Sequence, residues 1–198
     1  MEPSCARYVP GYGDANAAFH VIGDHPGVHG GADSGVPFTG HESARRLQSA
    51  LAEVGLLREP GSEPSVEDTY LSYLHMCVPN PGGTPSPAEY TDMERFFDAE
   101  LRAIAAHVLF PVGERATRHV LETYTAQAHK TAVDMEALHA TEIRGSGFLV
   151  MPIKEPADWT DADQRRLIEA ITDLRSTDFR RESDLGRFIA GSDPYYVR

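Results

Sequence analysis

The sequence predicts an α/β protein with three layers, in which a central, mainly parallel, four-stranded sheet is flanked by helices. Three observations predict this. Short β-rich apolar runs alternate with longer segments of helical periodicity, the pattern of a sheet joined by crossover helices. The 198 residues can bury one substantial core but are few for two, so one domain is expected, with its core at about residues 5–175 and an arm over 176–198. Hydrophobic residues make up 41% and charged residues 24%, too apolar a balance for a disordered chain.

The first expected strand covers residues 18–22 (AFHVI) and is stopped by Gly23, after which a glycine-rich loop runs to Gly40. A helix follows. Thr39 with Glu42 three residues later reads as a capping box, Ala44, Leu47, Leu51 and Val54 recur at helical spacing, and Gly55 stands where a C-terminal cap belongs. Residues 59–67, rich in Pro, Ser, Gly and Glu, read as a loop. A second strand over 69–76 (TYLSYLHM) leads into a proline-rich connection, and Ser86, Pro87 and Glu89 open a helix expected to reach about Ala106. Residues 107–112 form the third expected strand. Gly113 opens the next helix, with Ala116, Val120 and Leu121 inward. Residues 148–153 (FLVMPI) supply a fourth strand, and 160–174 a last amphipathic helix burying Leu167, Ile168 and Ile171. For the tail, with Phe188, Tyr195 and Tyr196, a packed arm and a mobile end are both open. Ligands of such sheets lie beyond the carboxyl ends of the strands, which selects the loops after Ile22, Met76, Val112 and Met151.

Charge is the unusual bulk property. Eighteen basic against thirty acidic residues give a net charge of −12, and only Lys130 and Lys154 are lysines. Nonspecific binding to phosphate backbones rests on cationic side chains displacing counterions, so a nucleic-acid partner must overcome a repulsive field. A salt-rich cytoplasm would screen that field, since the Debye length falls to about 3 Å at 1 M, and a halophilic source is one reading. An acidic domain without a nucleic-acid partner is the other. The longest apolar stretch, residues 103–112, is broken by His107 and Pro111 and is too short to span a bilayer. MEPSCARYVP lacks the features of a signal peptide, so a cytoplasmic location is expected. Cys5 and Cys77 are too few for a disulfide scaffold.

The loop over residues 23–40 carries Asp24, His25, His29, Asp33 and Phe38 among six glycines, and close approach to a ligand is its expected use. A Walker loop is excluded by the missing Gly-Lys-Ser/Thr ending, and the glycine spacing is not a dinucleotide fingerprint. His20, His25, His29 and His41 match no zinc spacing and read as solvated or hydrogen-bonded groups, so no metal is expected. No Gly-x-Ser-x-Gly elbow occurs, and Ser34 reads as a turn residue.

Taken together, the strand with its GDHPG loop, the downstream GVPFTG, the strand ending in HMC before a proline-rich loop, and VLFPVGERAT resemble the uracil-DNA glycosylase superfamily, in particular its iron–sulfur branch. That branch reads approximately G-E-x-P-G and then G-x-P-F-x-G; Gly23, Asp24, Pro26, Gly27, Gly35, Pro37, Phe38 and Gly40 stand at the corresponding places. The resemblance implies a uracil-DNA glycosylase-like fold and a DNA repair chemistry. A damaged nucleotide of single-stranded DNA, or one flipped from a duplex, is held by its base and its base–sugar bond is cleaved. It casts Asp24 as the acid that favours a developing oxocarbenium or positions water, and Phe38 as the ring that stacks on the base. Backbone N–H groups of His25, Pro26 and Gly27's segment would contact base or phosphate. Two plainer readings stay open: Phe38 as a core anchor of the loop, and Asp24 as an acid bonded to its own loop backbone.

The departures carry equal weight. Tyr73 stands where the family has an asparagine that reads a pyrimidine edge, and a phenol cannot reproduce that bidentate pattern. Met151-Pro152 replaces a His-Pro pair. Losing that donor to the departing base would slow the step by about 10²–10³-fold unless His25 or Lys154 compensates. Of the four cysteines that hold the cluster, only Cys5 and Cys77 are present, with Glu2 and Met93 at the other places, so no cofactor is expected. The function readings are therefore a glycosylase of altered base specificity, a catalytically silent relative that binds a base, nucleotide or protein, and an unrelated α/β hydrolase or transferase.

Overall fold

A computed structural model describes residue 3 and residues 5–125, 132–145 and 147–180. In chain order the elements are β1 (Tyr12–Gly13), β2 (Phe19–Gly23), the one-turn α1 (Pro26–His29), α2 (Glu42–Glu53), β3 (Leu57–Glu59), β4 (Ser65–Val66) and β5 (Thr69–Tyr73), followed by α3 (Pro87–Ile104), β6 (Val108–Pro111), α4 (Gly113–Tyr124), the short α5 (Met135–Leu138), β7 (Ile143–Arg144), β8 (Leu149–Val150) and α6 (Asp161–Ser176). The main sheet has the order β1-β5-β2-β6-β8-β7. Its four central strands, β5, β2, β6 and β8, are parallel, as the sequence predicts. Two-residue strands β1 and β7 add antiparallel edges, and β3 and β4 pair as a separate hairpin inside what reads as loop. The second strand ends at Tyr73 rather than Met76, although Leu74 and His75 still donate backbone hydrogen bonds to Gly23 and Asp24 at 2.9 and 3.0 Å.

Period-two alternation along β2 separates the two faces. Phe19 and Val21 enter one apolar cluster with Leu47 and Leu51 of α2 and Leu167 and Ile171 of α6. Ile22 enters the other, with Phe97 and Leu101 of α3 and Ala116, Val120 and Leu121 of α4. This is the three-layer arrangement expected.

Helix ends follow local chemistry, with one correction. Ser86 and Glu89 form the full capping box of α3, and Thr160 with Asp163 does the same for α6. Thr39 does not cap α2. Its hydroxyl donates to the Val36 carbonyl at 2.8 Å and pairs with Ser34, so the N-cap passes to His41, whose side chain makes no cap bond. Gly55 follows α2 at φ 72°, a left-handed conformation that favours glycine.

Cys5 and Cys77 are joined in a disulfide that ties the N-terminal segment to the loop after β5. Phe179, just past α6, packs on Phe19 with ring centroids 5.1 Å apart; Phe188, Tyr195 and Tyr196 lie outside the described residues. Among the described residues, no helix is long and apolar enough to cross a membrane.

Candidate active site

Strand β2 ends at Gly23 directly beside Tyr73, the last residue of β5. The first loop therefore starts at the carboxyl edge of the sheet, where ligands of parallel sheets bind. Pro26 opens α1 at a position that needs no N–H. His25 caps it, its Nδ1 accepting from the Gly27 N–H at 3.1 Å. That bond fixes the tautomer with the proton on Nε2, which is buried and has no hydrogen-bond partner among the described residues. Burial lowers the His25 pKa; Asp24 opposes this, and His29, His75 and Arg115 add to it. The ring is neutral at pH 7.

Asp24 bonds outward from its loop. Its carboxylate accepts from the Tyr90 hydroxyl of α3 and lies 3.4 Å from Arg115 Nε of α4. Arg115 also sits over the Tyr90 ring, 4.6 Å from its centroid. Burial and the neighbouring carboxylate push the Tyr90 phenol above its ordinary range, so it remains a donor. The Asp24 side chain keeps 16% of its surface exposed. An acid held by two helices while still facing solvent differs from one spent on its own loop.

Behind this acid lies a closed aromatic cluster. The Asp24 N–H donates to His29 Nδ1 at 3.0 Å, and His29 Nε2 donates to Glu155 at 2.9 Å. The ring centroid of His29 lies 5.3 Å from that of Phe38 and 6.2 Å from that of Tyr73. Phe38 and Tyr73 are 5.3 Å apart, and each is 1% exposed. The Tyr73 hydroxyl accepts from the Phe38 N–H at 2.7 Å and donates to the Gly30 carbonyl at 3.0 Å. A Cβ on Gly23 would fall within 2.8 Å of Tyr73, His29 and Phe38 atoms at once, so only glycine fits there. Met151 is buried in the same apolar cluster as Phe38 and Tyr73.

Several sequence expectations change here. His20, His25 and His29 are buried rather than solvated; His41 is exposed. The Gly27 N–H, expected to face a ligand, is taken by the His25 ring, and Gly27 packs so close to Pro79 that a Cβ would lie 2.8 Å from it. Lys154, considered as a replacement donor, is held by Glu136 at 2.6 Å and Asp163 at 3.6 Å. Tyr90 and Glu155 escaped sequence reasoning, which reads His29 only as one histidine of the loop. Arg115 lies within the VGERAT motif, and no local pattern pairs it with Asp24.

The donor set for an iron–sulfur cluster does not fit. Cys5 and Cys77 are bonded to each other, which leaves neither sulfur as a thiolate, and Met93 offers a neutral thioether sulfur 3.6 Å from Cys77 Sγ. Glu2 lies outside the described residues.

The sequence matches a known family. The model of the uracil DNA glycosylase superfamily matches residues 10–175. The chain belongs to the uracil DNA glycosylase superfamily. It is 35% identical over 175 residues to a type-5 uracil-DNA glycosylase of Pyrobaculum aerophilum, covering 85% of this chain and 74% of that protein. Against the type-5 uracil-DNA glycosylase of Thermus thermophilus it is 38% identical over 104 residues, covering 50% of this chain and 47% of that one. With the type-4 uracil-DNA glycosylase of Archaeoglobus fulgidus, identity is 26% over 151 residues, covering 76% and 71%. The chain is thus a uracil-DNA glycosylase-like protein, and its match spans about half the length of the Thermus relative.

Proposed function

We propose that this chain is a DNA repair glycosylase whose reacting centre is Asp24 and whose base specificity differs from that for uracil. A nucleotide of single-stranded DNA, or one flipped from a duplex, would bring its sugar to the exposed edge of Asp24. The C1′–N bond breaks with its electron pair leaving on the base, and the carboxylate stabilises the cationic sugar until water adds at C1′. The neutral His25, whose buried Nε2–H has no hydrogen-bond partner among the described residues, is the donor we assign to the departing base. Pro26 and Gly27 form the turn that carries both groups, and Phe38, Tyr73 and Met151 lie buried on the base side.

One observation carries this reading: the carboxylate is fixed by Tyr90 and Arg115 from two separate helices and yet remains open to solvent. The test is release of free base from oligonucleotides carrying uracil, hypoxanthine, xanthine or mismatched thymine, run from low to molar salt because the net charge is −12. Release that Asp24→Asn abolishes supports the reading.

The mutual burial of His29, Phe38 and Tyr73 favours a second reading, a catalytically silent relative that binds a base, nucleotide or protein. Oligonucleotide binding without release at any salt would support that one. Failure to bind at every salt removes the glycosylase reading and leaves a silent relative without a DNA partner.

A further inference from the structure

We propose that the Tyr73 phenol is a built-in stand-in for a lactam nucleobase, filling a base site that its removal uncovers. The inference rests on the reading of this edge of the sheet as base-handling, and it identifies what closes the site.

The space over Gly23 is the starting point. Three rings converge there, those of Tyr73, His29 and Phe38, and the missing Cβ of Gly23 is what admits them. Tyr73 lies nearly parallel to His29, with 17° between the ring planes. Removing it would leave a flat slot with an aromatic wall rather than a rounded void.

The polar edge of that slot is also set. One phenolic oxygen serves a main-chain donor, the Phe38 N–H, and a main-chain acceptor, the Gly30 carbonyl. A lactam edge presents the complementary pair, a carbonyl oxygen beside an N–H. Uracil, thymine, hypoxanthine and xanthine carry such an edge. When the sugar-bearing nitrogen is substituted, as in a nucleotide, adenine has no ring carbonyl and the cytosine carbonyl adjoins only the unprotonated N3, so both mismatch the pair.

The backbone holding this pair is braced by other contacts. Phe38 sits at φ 57°, and Gln48 Nε2 donates to its carbonyl at 2.7 Å while also donating to Gly61 at 3.0 Å. On the far side, the Gly30 N–H donates to Pro26 at 2.9 Å and the Gly31 N–H to Thr39 at 2.9 Å. The two recognising groups are therefore held by Gln48, Pro26 and the neighbouring loop, and not by Tyr73 alone.

The experiment compares the wild type with Tyr73→Ala, Tyr73→Asn and Tyr73→Phe. Binding of 1-methyluracil, 9-methylhypoxanthine, 1-methylcytosine and 9-methyladenine, in which a methyl group blocks the nitrogen that carries the sugar, is measured by isothermal titration, and folding by circular dichroism with and without base. Tyr73→Ala or Tyr73→Asn should bind the methylated uracil or hypoxanthine at least about tenfold more tightly than the wild type and Tyr73→Phe, with the methylated cytosine and adenine at wild-type levels. A variant that folds only when the methylated uracil or hypoxanthine is added supports the proposal equally. Folded Ala and Asn variants that bind no base, or that bind the methylated cytosine as well as the methylated uracil, overturn it. So does failure of both to fold in saturating base. Binding of a base needs no hydrolysis, so it is read separately from release. Base binding by Tyr73→Ala with no release of base from oligonucleotides then counts against the catalytic reading alone.

Discussion

Replacing Tyr73 by phenylalanine isolates the hydroxyl that the phenol inserts between two strands of loop. The ring and its contacts with His29 and Phe38 can stay in place, so almost no apolar packing is lost. What goes is one acceptor for the Phe38 N–H at 2.7 Å and one donor to the Gly30 carbonyl at 3.0 Å. Both residues are buried, so water does not readily replace the hydroxyl. An orphaned buried polar group costs about 1–3 kcal/mol, and the variant is relieved of desolvating a hydroxyl, so about 2–4 kcal/mol of stability should be lost. Urea unfolding followed by circular dichroism reads this as a lower midpoint at unchanged slope. A loss under about 0.5 kcal/mol would mean the two backbone groups find other partners, and the account of Tyr73 as their anchor would be wrong.

Two further outcomes follow from buried groups elsewhere. His20 is fully buried between Tyr70 and Phe97, and burial lowers its pKa to about 3. The unfolded chain takes up that proton near pH 6.5 while the folded chain does not, so stability is complete above that value and falls as pH drops toward 3. The loss reaches about 4–5 kcal/mol across the window, with His25, His75, His119 and His139 shifted the same way. Urea midpoints at pH 7, 5.5 and 4 should therefore converge less steeply for His20→Gln, which keeps a donor for Ser72; equal slopes would refute the assignment. The Cys5–Cys77 link closes a loop of 72 residues, for which chain entropy gives an upper value of about 4 kcal/mol. Cys5→Ser and wild type in reductant should then show the same lowered midpoint, and a midpoint indifferent to reductant would show that the bond contributes nothing.

The parallel core and its helices were legible because periodicity and caps are local. Ser86 with Glu89 acts as its pattern says, and Leu47 and Leu51 face inward as their spacing requires. Thr39 with Glu42 has the same pattern and fails, because Val36 and Ser34 take the threonine hydroxyl and Arg45 pairs with Glu42. Strands β1 and β7 hold two residues each, too few to show a period. In the site, Asp24 and Phe38 were readable as loop residues of unusual type. Their partners were not: Tyr90 lies 66 positions from Asp24, and Glu155 lies 126 from His29. Nor could the histidines' burial be read locally, since His20, His25 and His29 are covered by neighbouring strands and helices.

Under the proposed reading, the reacting acid and the base site have diverged within one edge of the sheet. Asp24 is held ready, while the space behind it is occupied by the chain's own ring. A base entering the wild-type protein must expel Tyr73 and would recover the Phe38 and Gly30 hydrogen bonds by taking them over. The unrecovered part is the exposure of a buried aromatic ring, about 2–4 kcal/mol. An occluded state of that depth weakens apparent base affinity by roughly 30–1,000-fold, because only the fraction of molecules with the ring displaced can bind. Contacts with phosphates could offset this penalty, but a net charge of −12 reduces their contribution at low salt. Both features act in the same direction, and only the first is removed by Tyr73→Ala. A gain in base affinity well below about tenfold in that variant would therefore mean that the obstacle is the Phe38 and His29 rings, and not the phenol between them.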